Sequence, residues 1–230
     1  MERWRQLAGP TPWQEMAEGL RGRRCFGGVD LSQTTDLTAS VLVFPPVAEG
    51  ERWKFLPRFF VPAERIAMRV RSDRVPYDKW AQAGALIATE GNVVDYDFVK
   101  SQILADAELF KIEKFGFDPF NALQLMIQLQ GEGLPVEKVR QGFLTLSGPS
   151  KELERMLLDG GFEHGGHPIL EWCASNVAIE MDAAGNIKPS KSKSTERIDG
   201  IAALVTALAL ANSEEAPKRS VYERRGVRMI

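Results

Sequence analysis

Thiols and imidazoles are scarce here: 230 residues contain only two cysteines and two histidines. Cys25 and Cys173 lie far apart and have no metal-ligand spacing. Their separation argues against a disulfide scaffold and suits a reducing compartment. A G-x-x-x-x-G-K-[ST] phosphate loop is missing, and the Gly142–Gly148 stretch does not supply one. An ATP-driven motor is therefore not written in this chain. No apolar run is long enough to span a bilayer, and Met1-Glu2-Arg3-Trp4-Arg5 is not a signal peptide. The formal net charge is only -2, so nucleic-acid binding must come from local patches and not from a global basic excess.

What is present is an ordinary globular composition, 44% hydrophobic and 26% charged, at a length that fits one large domain. Residues 25–44 carry two apolar runs around a polar turn and read as a β-hairpin. Residues 53–62 read as a third strand ended by Pro62, so the chain starts its core with an antiparallel meander. Helical spacing follows at 77–90, 96–110, 121–130, 150–158, 168–174 and 195–211. Between these lie an extended piece at 92–94 and short strands at 115–118 and 135–139. An extended pair, 177–181 and Ile187, brackets the turn at 182–186. The order predicts an α/β domain, a mixed sheet with helices on its faces. Residues 1–24 read as a lead-in with one short helix outside the core, and residues 213–230 as a charged tail.

Four acids stand in apolar surroundings: Asp30 in the first strand, Asp36 past the turn, Asp118 after Phe115-Gly116-Phe117, and Asp199 one turn into the last helix. A carboxylate leaving water needs a cation or several donors to offset desolvation. Two carboxylates on one hairpin repel each other unless something positive lies between them, and hard divalent cations take oxygen ligands. Loops at strand ends of an open α/β sheet gather into one crevice. Asp30 and Asp118 could meet there, with Asp199 arriving from the side. Gly200 beside it would allow another chain or a metal site to approach closely. Such a set suits two cations about 3.5–4 Å apart, the arrangement that cuts phosphodiesters. Each acid also has an ordinary reading. Asp36 is good turn chemistry, and Asp199 could simply stabilise a helix N-terminus. Agreement of several positions with one architecture favours the shared site.

Lys188, Lys191, Lys193 and Arg197 cluster just before Asp199, where a phosphate backbone would lie. Such contacts position DNA without reading sequence. Arg21, Arg23 and Arg24 fit a domain junction. His164-Gly165-Gly166-His167 lacks the second ligand pair that zinc requires, even with Cys173, and reads as a surface turn. Asn176 is either a polar group at the crevice or a strand end.

Residues 27–39, Gly27-Gly28-Val29-Asp30-Leu31-Ser32-Gln33-Thr34-Thr35-Asp36-Leu37-Thr38-Ala39, resemble the opening strand of the nuclease domain of tailed-phage large terminase subunits. Phe117-Asp118-Pro119 resembles its second acidic strand. Residues 172–176 and 188–204 resemble its closing segment, the most specific of these motifs. The resemblance runs from about Cys25 to Ala211 and implies an RNase H-like nuclease domain over residues 25–212. It implies metal-dependent cleavage of concatemeric viral DNA during genome packaging. Asp30, Asp118 and Asp199 would be catalytic, Asp36 an auxiliary ligand, and Asp30 would bridge two divalent ions, Mg²⁺ or Mn²⁺. Double-stranded DNA, a packaging ATPase domain, the small terminase subunit and the portal become the expected partners, in the host cytoplasm. Family members normally carry an N-terminal ATPase, so the resemblance implies an excised or separately encoded nuclease domain. Two alternatives stand beside it. An actin- or Hsp70-like nucleotide-binding fold needs Gly-rich phosphate loops, where this chain has Leu31-Ser32-Gln33 and Phe117-Asp118-Pro119-Phe120. A non-catalytic DNA-gripping or portal-docking module would lack metal binding.

Overall fold

The computed structural model describes residues 1–31, 37–120 and 122–215. The chain opens with two short helices, α1 (Glu2–Gln6) and α2 (Trp13–Gly19). These correct the reading of a lead-in outside the core. Trp4, Leu7, Met16 and Leu20 are all buried, and the Trp4 ring lies 5.2 Å from that of Phe162. The apolar residues of this segment are spaced too irregularly to announce a helical face, which is why it looked peripheral.

The expected meander follows as β1 (Arg24–Asp30), β2 (Thr38–Phe44) and β3 (Trp53–Pro62). Both pairings are antiparallel, with Gly28 opposite Val41 and Leu42 opposite Leu56. Every residue of β2 is buried, because it is central and covered on both faces. A 3₁₀ turn at Ala63–Arg65 leads into α3 (Ile66–Asp73) and α4 (Tyr77–Gln82). The helix expected over 77–90 stops early. Gly84 takes φ +76°, a conformation glycine tolerates and a helix does not. The chain then enters β4 (Ile87–Thr89), parallel to β3. Residues 92–94 form no strand.

α5 (Tyr96–Leu109) is capped by Asp95, whose side chain accepts from the backbone N–H groups of Asp97 and Phe98. β5 (Lys111–Phe117) then pairs parallel with β1, and α6 (Leu123–Gly131) leads to β6 (Val136–Lys138), parallel to β5. α7 (Phe143–Asp159) starts well before the expected Ser150 and carries Pro149 inside it. β7 (Phe162–Glu163) lies beside β3, α8 (Pro168–Asn176) follows, and β8 (Ile179–Met181) and β9 (Ile187–Pro189) form the expected hairpin. α9 (Asp199–Glu215) closes the described chain. The sheet order is β4-β3-β2-β1-β5-β6, with β7 off the path beside β3.

Alternation along the strands splits the core in two. Phe26, Val41, Val43 and Phe59 pack with α9 and α8 on one face, while Leu42, Phe44 and Phe60 pack with α5 and α6 on the other. The contact of α9 with β1 is unusually intimate. A Cβ on Gly28 would stand 2.3 Å from the Ala203 carbonyl oxygen and 2.5 Å from the Ala207 nitrogen. On β5, a Cβ on Gly116 would meet Thr206 Cγ2 at 2.9 Å. Gly28 thus lets the backbone of α9 rest directly on β1, while Gly116 makes room for the Thr206 and Leu210 side chains of the same helix.

Candidate active site

Val29 pairs with Phe117 across the parallel β1–β5 ladder. The residues that follow, Asp30 and Asp118, are therefore neighbours at the carboxyl ends of adjacent strands, where α/β sheets gather their ligands. Both line one cleft of about 390 Å³, together with Gln141, Lys188, Lys191 and Ile198. Asp199 is the first residue of α9, not one turn into it. The preceding loop is held off the helix by the end of α8. Asn176 Nδ2 donates to the Arg197 carbonyl at 3.3 Å, and the Thr195 hydroxyl lies 3.4 Å from Asn176 Oδ1. Asn176 is thus a polar anchor at the end of a helix, behind the cleft.

Lys191 joins two of the acids. Its Nζ is 2.6 Å from Asp30 Oδ2 and 3.1 Å from Asp199 Oδ1. The contact to Asp199 is a hydrogen bond, whereas Asp30 Oδ2, in ion-pair contact with the same ammonium, has no hydrogen-bond partner among the described residues. Asp199 is 5% exposed, and its Oδ2 is buried without a hydrogen-bond partner among the described residues. Burial pushes the Asp30 carboxyl up to about 7; Asp199 adds to the rise, Lys191 opposes it, and Asp118 contributes a smaller repulsion. Burial would lower the Lys191 ammonium, but Asp30 and Asp199 hold it above the ordinary lysine range.

This donor set is chemically apt for a hard cation. The acids carry oxygen ligands only, an Asp199 oxygen is left without a donor, and a single ammonium serves two mutually repelling carboxylates. Among the described residues, no group of three or more His, Cys, Asp and Glu is gathered closely enough to hold a metal ion in this arrangement. Asp118 is engaged locally, its Oδ1 accepting from the Phe120 backbone N–H at 3.1 Å. Asp36 lies outside the described residues.

The basic loop divides. Lys188 lines the cleft, with its Nζ 4.9 Å from the centre of the Phe143 ring. Lys193 pairs with Glu180 at 3.3 Å. The Arg197 side chain is not among those lining the cleft, and its charge acts on Asp73 and Tyr77. Two other expectations are corrected. Gly200 makes room for the core and not for a metal, since a Cβ there would meet Phe59 Cζ at 2.7 Å. The His164–His167 segment is not a surface turn: both rings are buried. His164 Nε2 lies 3.0 Å from the Trp4 carbonyl oxygen, and His167 Nδ1 accepts from the Leu170 N–H at the start of α8. Both histidines serve packing of α1 and capping of α8.

The topology, with an acid-lined cleft at the strand ends, is that of an RNase H-like fold. The human cytomegalovirus terminase nuclease domain shares it at a TM-score of 0.52, with 10% identity over 94% of this chain and 97% of that one. The family model described as "Terminase large subunit, endonuclease domain" matches residues 2–215, and the chain belongs to that family. The large terminase subunit of Enterobacteria phage HK97 is 38% identical over 194 residues, 84% of this chain and 38% of the relative. The crystal structure of the HK97 large terminase superposes with a TM-score of 0.80 at 34% identity, covering 91% of this chain and 42% of that one. The chain thus spans about two-fifths of the length of this relative. The actin- or Hsp70-like alternative drops out with the family assignment.

Proposed function

We propose that this chain is a divalent-metal-dependent DNA endonuclease that cuts concatemeric viral DNA during genome packaging. The observation that carries this reading is the meeting of Asp30 and Asp199 at one ammonium, in a cleft that Asp118 also lines. Asp30, Asp118 and Asp199 would hold the ions, with Asp36 as an auxiliary ligand. Bound Mg²⁺ or Mn²⁺ would lower the pKa of a water and offset charge on the departing oxygen. The cytomegalovirus terminase nuclease domain with which the fold is shared was crystallised "Mn soaked", which favours this metal chemistry.

The chain's own residues orient the reaction. β1 and β5 end at neighbouring Asp30 and Asp118, and α9 brings Asp199 to the ammonium that Asp30 also contacts. Lys188, Lys191, Lys193 and Arg197 are the candidate phosphate contacts; Lys188 and Lys191 line the cleft itself. The nuclease unit would comprise residues 25–212, with α1 and α2 packed onto it; the charged stretch expected as a tail over 213–230 begins inside α9, which runs to Glu215. Double-stranded DNA is the proposed substrate. A packaging ATPase domain, the small terminase subunit and the portal are the proposed partners, in the host cytoplasm. Among the described residues no helix is long and apolar enough to cross a membrane.

The purified protein should nick supercoiled plasmid with Mn²⁺ or Mg²⁺ and not with chelator present. Asp30→Ala should abolish nicking. Full cutting by that variant would remove Asp30 from the mechanism, and the absence of Mn²⁺ binding would favour the non-catalytic DNA-gripping module.

A further inference from the structure

The bridging position of Lys191 has a consequence for how the cleft is loaded. We infer that Lys191 is a built-in cation that holds the acids of the metal-free cleft together, and that divalent-ion binding expels its ammonium from Asp30 and Asp199 toward the DNA path. The inference rests on the metal-dependent nuclease reading of the same site.

Three observations support it. First, the ammonium contacts the two carboxylates a divalent ion would need, at 2.6 Å and 3.1 Å. A divalent ion on those oxygens would put two like charges in contact inside a half-buried cleft, where Coulomb repulsion is far stronger than in water. Second, the arrangement leaves a buried acceptor unsatisfied: Asp199 Oδ2 has no hydrogen-bond partner among the described residues. Lys191 therefore compensates the acids only in part, and a cation with more coordination positions would satisfy them better. Third, Lys191 has somewhere to go. Its side chain is 56% exposed, and it sits in a turn whose base is pinned elsewhere. The Ser190 N–H donates to the Ala178 carbonyl at 2.9 Å, and the Ser194 hydroxyl donates to the Ser190 carbonyl. Neither bond involves α9, so a change of the Lys191 side-chain rotamer leaves that helix in place.

Released in this way, Lys191 becomes available for a phosphate oxygen only when the acids hold metal. Metal loading and DNA grip would then be coupled through one side chain, and the metal-free cleft would present a neutralised, weakly gripping surface. The proposal also accounts for how Asp30 and Asp199 can stand close before an ion arrives, since the one ammonium contacts both.

The test compares Mn²⁺ titrations by calorimetry for the wild type, Lys191→Ala, Lys191→Gln and Asp30→Asn. Removing the competing ammonium should tighten Mn²⁺ binding by about tenfold, the factor expected if the bridged form makes up about nine-tenths of the metal-free protein. Lys191→Gln keeps a polar side chain and guards against an unfolded alanine variant; it should bind Mn²⁺ more tightly than the wild type as well. A second readout follows lysine itself: mass-spectrometric mapping with an amine-acylating reagent should show Lys191 modified slowly without metal and several-fold faster at saturating Mg²⁺. Equal Mn²⁺ affinity in the wild type and both Lys191 variants, or an acylation rate indifferent to Mg²⁺, overturns the inference and leaves the metal site standing. Mn²⁺ binding unaltered by Asp30→Asn, or absent from every protein, overturns the metal-site reading and the inference together.

Discussion

Gly28 on β1 and Ala203 on α9 are in backbone contact: a Cβ at Gly28 would stand 2.3 Å from the Ala203 carbonyl oxygen. Nothing flexible lies between them, so the distance from the strand to the start of α9 is set by the backbone itself. That spacing brings Asp199 to Asp30. Gly28→Ala should therefore destabilise the fold by about 3 kcal/mol, the upper end of what overpacking costs, because neither backbone can yield. Plasmid nicking by the fraction that still folds should fall further than a urea melt accounts for. An alanine variant of wild-type stability and activity would show that α9 rests on the sheet less directly.

The cleft cations should act on DNA by charge and not by sequence. Lys188→Ala should weaken binding uniformly across unrelated duplexes and reduce the salt slope, d log K against d log [salt], by about 0.9, the value for one phosphate contact. Lys193 is paired with Glu180 at 3.3 Å, so Lys193→Ala should change the slope less. Filter binding at several salt concentrations separates the two, and a larger effect at Lys193 would reverse their order.

Histidine burial makes stability fall on mild acidification. Burial, then the Arg58 charge and the neighbouring His164, bring His167 from 6.5 down to about 3; burial also lowers His164. The unfolded chain takes up a proton at each histidine below about 6.5, while the folded His167 resists until about 3. The stabilisation from neutral His167 is thus complete above about pH 6.5 and drains away as pH falls toward about 3. Between about pH 7 and pH 5 the raised Asp30 carboxyl acts in the opposite direction, so the histidine effect is read as a difference: acidification should lower the urea midpoint of the wild type more, or raise it less, than that of His167→Gln. Wild-type and His167→Gln midpoints that change in parallel across this window would show that His167 takes up its proton as readily folded as unfolded.

A buried ion pair stiffens β3 against α5. Arg58 Nη2 lies 2.9 Å from Asp106 Oδ1, with the Asp106 side chain 3% exposed. Asp106→Ala leaves the guanidinium beside apolar side chains and should cost about 3–5 kcal/mol. Replacing both partners with Arg58→Met and Asp106→Leu should recover much of that loss. Denaturant melts of the single and double variants decide it, and additive losses would deny the coupling.

How much of this was legible in the sequence depends on which cue each residue carried. Asp30, Asp118 and Asp199 were visible because a carboxylate flanked by apolar residues is anomalous in a single sequence, and the meander was visible from runs of Val, Leu and Phe. Less visible was anything set by a partner distant in sequence. The start of α7 was hidden by Pro149, which lacks the N–H a helix interior uses. The start of α9 was overextended because Thr195–Ile198 has helical spacing, yet Asn176 captures the Arg197 carbonyl. Ile87 fits a helical face by spacing alone but enters β4 once Gly84 turns the chain. Lys191 looked like any other member of a basic loop, and only its distances to Asp30 and Asp199 set it apart from Lys188 and Lys193.

The packing of α9 against β1 also has a temporal side. Among the described elements, α9 leaves the ribosome last and β1 is the first strand to emerge. Asp30 and Asp118 can be joined by β1–β5 pairing while translation continues, but the third acid arrives only with the final helix. A nascent or interrupted chain that stops short of residue 199 therefore lacks the helix whose backbone lies on Gly28, and Asp199 is not yet there to share the Lys191 ammonium with Asp30.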